Sequence, residues 1–315
     1  MKPVVWKTAL VVALLGGCVM VTSGPDEPSA HVDDVARTSY PIVLAHGMMG
    51  FDQLGSLSYW PGIVERLRAH GATVVVTQVS AFNSSELRGQ QLLKQVEQIV
   101  AQTGVRKVNL IGHSHGNQSV RYVAGMRPDL VASVTSVGGA TAGSEVADWV
   151  ATQQRERPWL ASALISTGNG VGRLVNWASD ADLPQDAQAA LHSLTARGAA
   201  DFSKRFPAGV PAQPCAEGAH EVQGIRYYSW SGTGQFYRAV NLSDYIMSLT
   251  HLAFKKEQGD GLVGKCASHL GQVIRDDYPL NHFHLVNQFF GLVGKEVDPV
   301  QLYLDHAVRL KAAGL

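Results

Sequence analysis

Residues 108–117 read VNLIGHSHGN: an apolar, β-branched run that ends abruptly in a cluster of histidines, a serine and glycines. The run has the composition of a strand buried on both faces, so a polar cluster at its end needs a reason. Gly112, Ser114 and Gly116 stand in G-x-S-x-G spacing. Glycines on both sides of a serine suit a strand-to-helix turn too tight for side chains, which lifts the serine hydroxyl out of the sheet toward a base. The pattern also recurs by chance. It gains weight only if the chain supplies a base, an acid behind that base, and donors for a developing anion.

The flanking sequence supplies the sheet. YPIVLAHG (40–47) is a strand ending in glycine, followed by a Gly-rich loop (48–60) and a helical segment near 61–70. ATVVVTQVS (72–80) is a second strand, and 84–104 has apolar residues at helical spacing between a serine start and a glycine stop. RKVNLIG (106–112) is a third strand, a helix runs to about Met126, and LVASVTSVGG (130–139) is a fourth strand. Near-continuous apolar strands alternating with helices predict a doubly wound, mostly parallel α/β sheet with helices on both faces. From about 144 to 207 the alternation stops. This insertion is expected to form a helical lid, although most of its apolar residues (Trp149, Trp159, Leu160, Leu164, Ile165, Val171, Leu174, Trp177) are expected to pack inward. Strands resume at 224–230, and 251–264 ends in a polar Gly-rich turn.

The 315 residues, 45% apolar and 17% charged, suit one large α/β domain with a sizeable core. Equal numbers of basic and acidic residues, 26 of each, leave no footprint for nucleic acid. Lys2 and Lys7 with ALVVALLGGC (9–18) read as an export signal over 1–18, too short to span a bilayer as a mature helix. In an oxidising compartment Cys215 and Cys266 can pair, leaving Cys18 alone. LLGGC resembles a lipoprotein lipobox, with Cys18 as the lipidated residue; the alternative is a leftover cysteine in a discarded signal, and Gly16 is unusual at its position. Residues 19–39 then form a flexible polar spacer, and 40–315 the folded domain.

A serine hydroxyl needs a base, and the base an acid to hold its tautomer and charge. In this fold the partners follow in the order serine, acid, histidine. His282, in DYPLNHFHLVNQFFG, lies between a turn and the apolar start of a terminal helix; His284 is its nearest competitor, and His269 reads as a structural residue close to Cys266. Asp260, in GDGLVG, is the candidate acid; Asp276 and Asp277 are alternatives that read better as solvated turn residues. The oxyanion donors are the backbone N–H groups of His115, after the serine, and Met48, beyond LAHG.

With these residues in place, YPIVLAHGMMGFD, VNLIGHSHG, RYVAGMRPDL, YYSWSGT, GDGLVGKCASHLGQVIRD and NHFHLVNQFFGL closely resemble the true lipases of Pseudomonas and Burkholderia type, from about Tyr40 to the C-terminus. The resemblance implies an α/β-hydrolase fold, Ser114 as nucleophile, Asp260 as acid, His282 as base, Met48 and His115 as oxyanion donors, and a Cys215–Cys266 disulfide. It also implies triacylglycerol hydrolysis, a mobile lid and, for many members, a periplasmic foldase. Asn117 departs from the family's glycine. Asn241 and His284 stand where two calcium-binding aspartates are expected, although Gln288 and Leu292 match other positions of that site; no metal is assigned, and none is needed for the chemistry. The expected function is an exported, monomeric triacylglycerol lipase, either an outer-membrane lipoprotein or secreted. Alternatives are an esterase or thioesterase for short soluble substrates, and a silent hydrolase-fold binding protein.

Overall fold

The computed structural model describes residues 33–55, 57–234, 258–288 and 297–315. The export signal, Cys18, Asn241 and Leu292 lie outside them.

In chain order the strands are β1 (Ile42–Ala45), the β2–β3 hairpin (Gln53–Leu54 and Leu57–Ser58), β4 (Val74–Thr77), β5 (Val108–His113), β6 (Val131–Val137), β7 (Glu221–Val222), β8 (Ile225–Gly232) and β9 (Gln272–Tyr278). The helices are α1 (Ile63–Ala69), α2 (Ser85–Thr103), α3 (Gly116–Met126), α4 (Glu145–Glu156), α5 (Pro158–Ala178), α6 (Ala187–Leu194), α7 (Ala196–Arg205) and α8 (Pro299–Ala312). The sheet runs β4-β1-β5-β6-β8-β7, with β9 also on β8. Its pairings are parallel except β7–β8.

The period of two along each strand sorts side chains into two layers. Ile42 and Leu44 of β1 face a cluster completed by Ile63 and Leu67 of α1 and by Tyr303 and Leu304 of α8. Val43 and Ala45 face the opposite cluster, with Leu92 and Val96 of α2 and Val120 and Val123 of α3. The central strand β5 is buried along its whole length, so its C-terminal end is a rigid place to mount a side chain. α2 follows its sequence signals: the Ser84 hydroxyl caps it by accepting from Leu87 N–H, and Gly104 stops it at a φ of 70°.

Four expectations need correction. Residues 34–39 are not free spacer: Ala36 is fully buried and its N–H donates to the His70 carbonyl, while Ser39 N–H donates to the carbonyl of Leu315. Asp276 and Asp277 sit in β9 rather than in a turn, with Asp276 paired to Lys265 and His269 and Asp277 to Arg275. The polar composition of β9 hid it, because it is covered less fully than the inner strands. His282 does not open a terminal helix: a single turn follows at His284–Val286, ended by Asn287 in the left-handed region, and the terminal helix is α8. In the insertion, Trp149, Trp159, Leu164 and Trp177 are exposed rather than packed inward. The apolar residues of α5 spread over a wider arc than one neighbouring face can cover, leaving a narrow polar stripe of Ser162, Ser166, Asn169, Arg173 and Asn176.

Candidate active site

Between the end of β5 and the start of α3 only Ser114 and His115 remain to reverse the chain. Ser114 does so at a φ of 55°, in the left-handed region that costs a non-glycine residue about 1–2 kcal/mol. Both of its backbone groups are held: its N–H donates to the Val137 carbonyl at 2.9 Å, and its carbonyl accepts from Asn117 N–H at 3.0 Å. A Cβ on Gly112 would lie 2.4 Å from the Gly116 carbonyl oxygen, and one on Gly116 would lie 2.3 Å from that of Ala45. The close approach of helix and strand is what the two glycines permit. Asn117, the departure from the family pattern, is accommodated opposite Gly139: its amide donates to Thr141 Oγ1 at 3.0 Å, in a buried site.

The chain brings Asp260 and His282 together below this turn. Nδ1 of His282 lies 2.7 Å from Oδ2 of Asp260, and both side chains are almost wholly buried. The other carboxylate oxygen accepts the N–H groups of Leu262 at 3.0 Å and Val263 at 2.9 Å, and His282 N–H donates to the Asp260 carbonyl at 2.9 Å. A carboxylate held this way can only accept, so Nδ1 bears the proton and Nε2 keeps its lone pair. His284, the competing base, instead has its backbone N–H on Asn281 Oδ1 and its ring beside the Asn281 amide. The Ser114 hydroxyl is half-buried and makes no hydrogen bond among the described residues. A hydrogen bond between a serine nucleophile and its base commonly tightens only when substrate binds, so its absence does not remove Ser114 as a candidate.

Beside the serine runs the loop after β1; a Cβ on Gly47 would lie 2.7 Å from Ser114 Cβ. The Gly47 carbonyl accepts from His46 Nδ1 at 2.8 Å and from Arg88 Nη2 at 3.1 Å. Arg88, fully buried, also donates to the carbonyls of His46 at 2.7 Å, Ala81 at 3.3 Å and Ser80. Across a trans peptide the carbonyl and the next N–H point in opposite directions, so clamping the Gly47 carbonyl aims Met48 N–H the other way. Among the described residues neither Met48 N–H nor His115 N–H has a hydrogen-bond partner. The sequence offered no sign of Arg88: a lone arginine on an amphipathic helix reads as solvent-facing.

Four buried histidines are held neutral by their surroundings. Burial, with Arg88 nearby, pushes His46 down to about 3, and burial beside Arg309 does the same to His306. Burial holds His113 and His115 well below the usual histidine range. Below about pH 6.5 the unfolded chain takes up protons that the folded one refuses. Stability from these groups is therefore complete above that pH and lost as pH falls toward 3. Melting midpoints measured from pH 7 downward should decline steadily across this window; a midpoint flat to about pH 4 would contradict the neutral-histidine reading.

Helices α4, α5 and α6 pack against the loop. The Met48 side chain packs against two clusters, one with Phe82 and Val175 joined by Ile165 and Val171, the other with Ala147, Leu194 and Val263. This segment is pinned at its ends: Ser144 Oγ donates to the Leu262 carbonyl at 2.6 Å, and Gln78 Nε2 to Ser179 Oγ at 2.7 Å. Between these ends, all described side chains of 158–167 except Ile165 are exposed, Trp159 by 73%.

Cys215 and Cys266 form a disulfide. At the described part of the family's calcium position the donors do not suit that ion. His284 brings nitrogen where calcium prefers oxygen, and the Gln288 amide nitrogen faces the Tyr59 carbonyl.

A serine on a strained strand-to-helix turn of a parallel α/β sheet, with a buried acid–histidine pair and two unengaged N–H groups nearby, defines a serine hydrolase of the α/β-hydrolase fold. Comparison agrees: residues 40–283 match the family described as alpha/beta hydrolase fold. The chain is 46% identical to a triacylglycerol lipase of Vibrio cholerae serotype O1, over 98% of this chain and 99% of that protein. It is 42% identical to one of Pseudomonas fragi, over 90% and 100% respectively, and 36% identical to one of Burkholderia plantarii, over 100% and 97%. The chain belongs to the α/β-hydrolase family, among the bacterial lipases of Pseudomonas and Burkholderia type. It is an enzyme, a serine hydrolase of carboxylic esters. The solved lipase BlEst2 of Bacillus licheniformis, in mature form, shares the fold at a TM-score of 0.57 and 19% identity, over 84% of this chain and 93% of that one.

Proposed function

We propose that the enzyme hydrolyses long-chain acylglycerols at a lipid–water interface, with Ser114 as nucleophile, His282 as base and Asp260 as its orienting acid. The observation that carries the assignment of roles is the 2.7 Å bond between Asp260 and His282, which leaves His282 Nε2 free to take a proton. Ser114 Oγ attacks the ester carbonyl carbon as His282 Nε2 removes its proton. The carbonyl oxygen becomes an anion received by Met48 and His115 N–H, donors of a kind each worth about 2.7–4 kcal/mol of transition-state stabilisation. Collapse expels the alcohol, which takes the proton from His282 and leaves an acyl-Ser114. Water, deprotonated by His282, then releases the fatty acid and regenerates the serine.

The choice of a lipid interface rests on α4, α5 and α6, read as a lid over the site. Trp159, Leu164, Trp149 and Trp177 are apolar side chains held in water on the helices that pack against the Met48 loop, and apolar area gains roughly 25 cal/mol per Å² on leaving it. Turning 158–167 onto lipid would bury Trp159 and Leu164 and open the serine. Ester hydrolysis measured over acyl-chain length, below and above the solubility limit, tests this: the rate should rise sharply once substrate forms an interface. A flat response would assign the enzyme to soluble short-chain esters.

A further inference from the structure

His113, between Gly112 and the nucleophile, is fully buried and takes no part in the proton transfers above. Its Nε2 lies 3.0 Å from the backbone carbonyl oxygen of His282. Its Nδ1 lies 2.7 Å from the Tyr59 hydroxyl, and that hydroxyl lies 3.1 Å from Gly47 N–H. Its ring also rests on the His282 ring, with centroids 4.7 Å apart and planes tilted by 43°.

Donor and acceptor roles are forced along this chain. A carbonyl only accepts, so His113 Nε2 carries the proton; in a neutral ring Nδ1 then accepts, so Tyr59 donates to it; the Tyr59 oxygen keeps a lone pair that takes Gly47 N–H. Burial and the neighbouring His282 keep the ring neutral, which the arrangement requires. We infer that Tyr59 and His113 are positioning residues: a one-directional hydrogen-bond chain, Gly47 to Tyr59 to His113 to the His282 carbonyl, that sets the base in register with the oxyanion loop. One end of the chain is the peptide unit preceding the Gly47–Met48 unit, and the other is the backbone of the base. The Gly47 end lies beside Ser114, where a Cβ on Gly47 would come within 2.7 Å of Ser114 Cβ, and the other end carries the base, so a single link joins the two groups that must act on one substrate carbonyl. This inference rests on the roles given to Ser114 and His282 above.

The test uses purified full-length protein, a soluble p-nitrophenyl butyrate assay below its solubility limit, and the rate of Ser114 labelling by a fluorophosphonate. Tyr59→Phe deletes one oxygen and should lower kcat and the labelling rate together by about tenfold to a hundredfold, the scale of a misplacement near 1 Å, with KM changed less than about twofold. His113→Gln keeps an amide N–H able to reach the His282 carbonyl and should recover most of the rate that His113→Leu loses. A role in packing alone predicts rates that follow melting midpoints, with glutamine no better than leucine. That pattern, or a His113→Leu enzyme at the wild-type rate, overturns the inference while wild-type labelling at Ser114 upholds the hydrolase reading. Absence of wild-type labelling overturns both.

Discussion

Ser114→Gly should abolish ester hydrolysis and leave the protein at least as stable as wild type. The loss should reach at least about a thousandfold, because members of a nucleophile–base–acid unit fail together and only binding and anion stabilisation remain. The stability half follows from the backbone. Ser114 sits at a φ of 55°, where a side chain is strained and glycine is not, and its hydroxyl makes no hydrogen bond among the described residues whose removal would cost anything. Glycine should therefore raise the melting midpoint or leave it unchanged, whereas Ser114→Ala, inert as well, keeps the strain. Hydrolysis rates and melting curves of the two variants check both halves. Residual activity within tenfold of wild type would reject Ser114 as nucleophile, and a large loss of stability in the glycine variant would show that the turn was not strained.

Asp260→Asn should cost roughly four orders of magnitude in kcat with little change in fold, the scale of a wrong histidine tautomer. An asparagine can still accept the N–H groups of Leu262 and Val263 through its oxygen. Its amide nitrogen then faces His282 Nδ1 as a donor, which moves the imidazole proton to Nε2 and removes the lone pair that must take the serine proton. Among the described residues the other candidate acids are engaged, Asp276 by Lys265 and His269 and Asp277 by Arg275. Asp260→Ala, which leaves the two N–H groups and the imidazole without partners, should lose activity and also destabilise the loop. An asparagine variant with a near-wild-type rate would move the acid role elsewhere.

Much of this site was legible because its signals are local in the chain. G-x-S-x-G states a steric condition between residues four apart, and the structure meets it with contacts that exclude a Cβ at Gly112 and Gly116. The serine, acid and histidine follow the order that the fold imposes, so Asp260 and His282 could be named from loop context. β9 was missed because its polar residues imitate a turn, and the exposure of Trp159 was missed because composition does not say which apolar residues find a neighbour.

By itself the sequence determined the strand alternation, the ends of α2, the elbow and the short list of candidates, since each depends on residues within a few positions of one another. Only the tertiary structure put His282 rather than His284 on Asp260, placed Arg88 behind the Gly47 carbonyl, and joined Tyr59 to His113 and His113 to the His282 carbonyl. Those partners are 54 and 169 residues apart. A hydrogen bond across such a separation leaves no periodicity in the chain; it exists because the sheet brings the loops after β1, β5 and β9 to one edge, where a buried polar atom must find whatever partner lies within 3 Å or so.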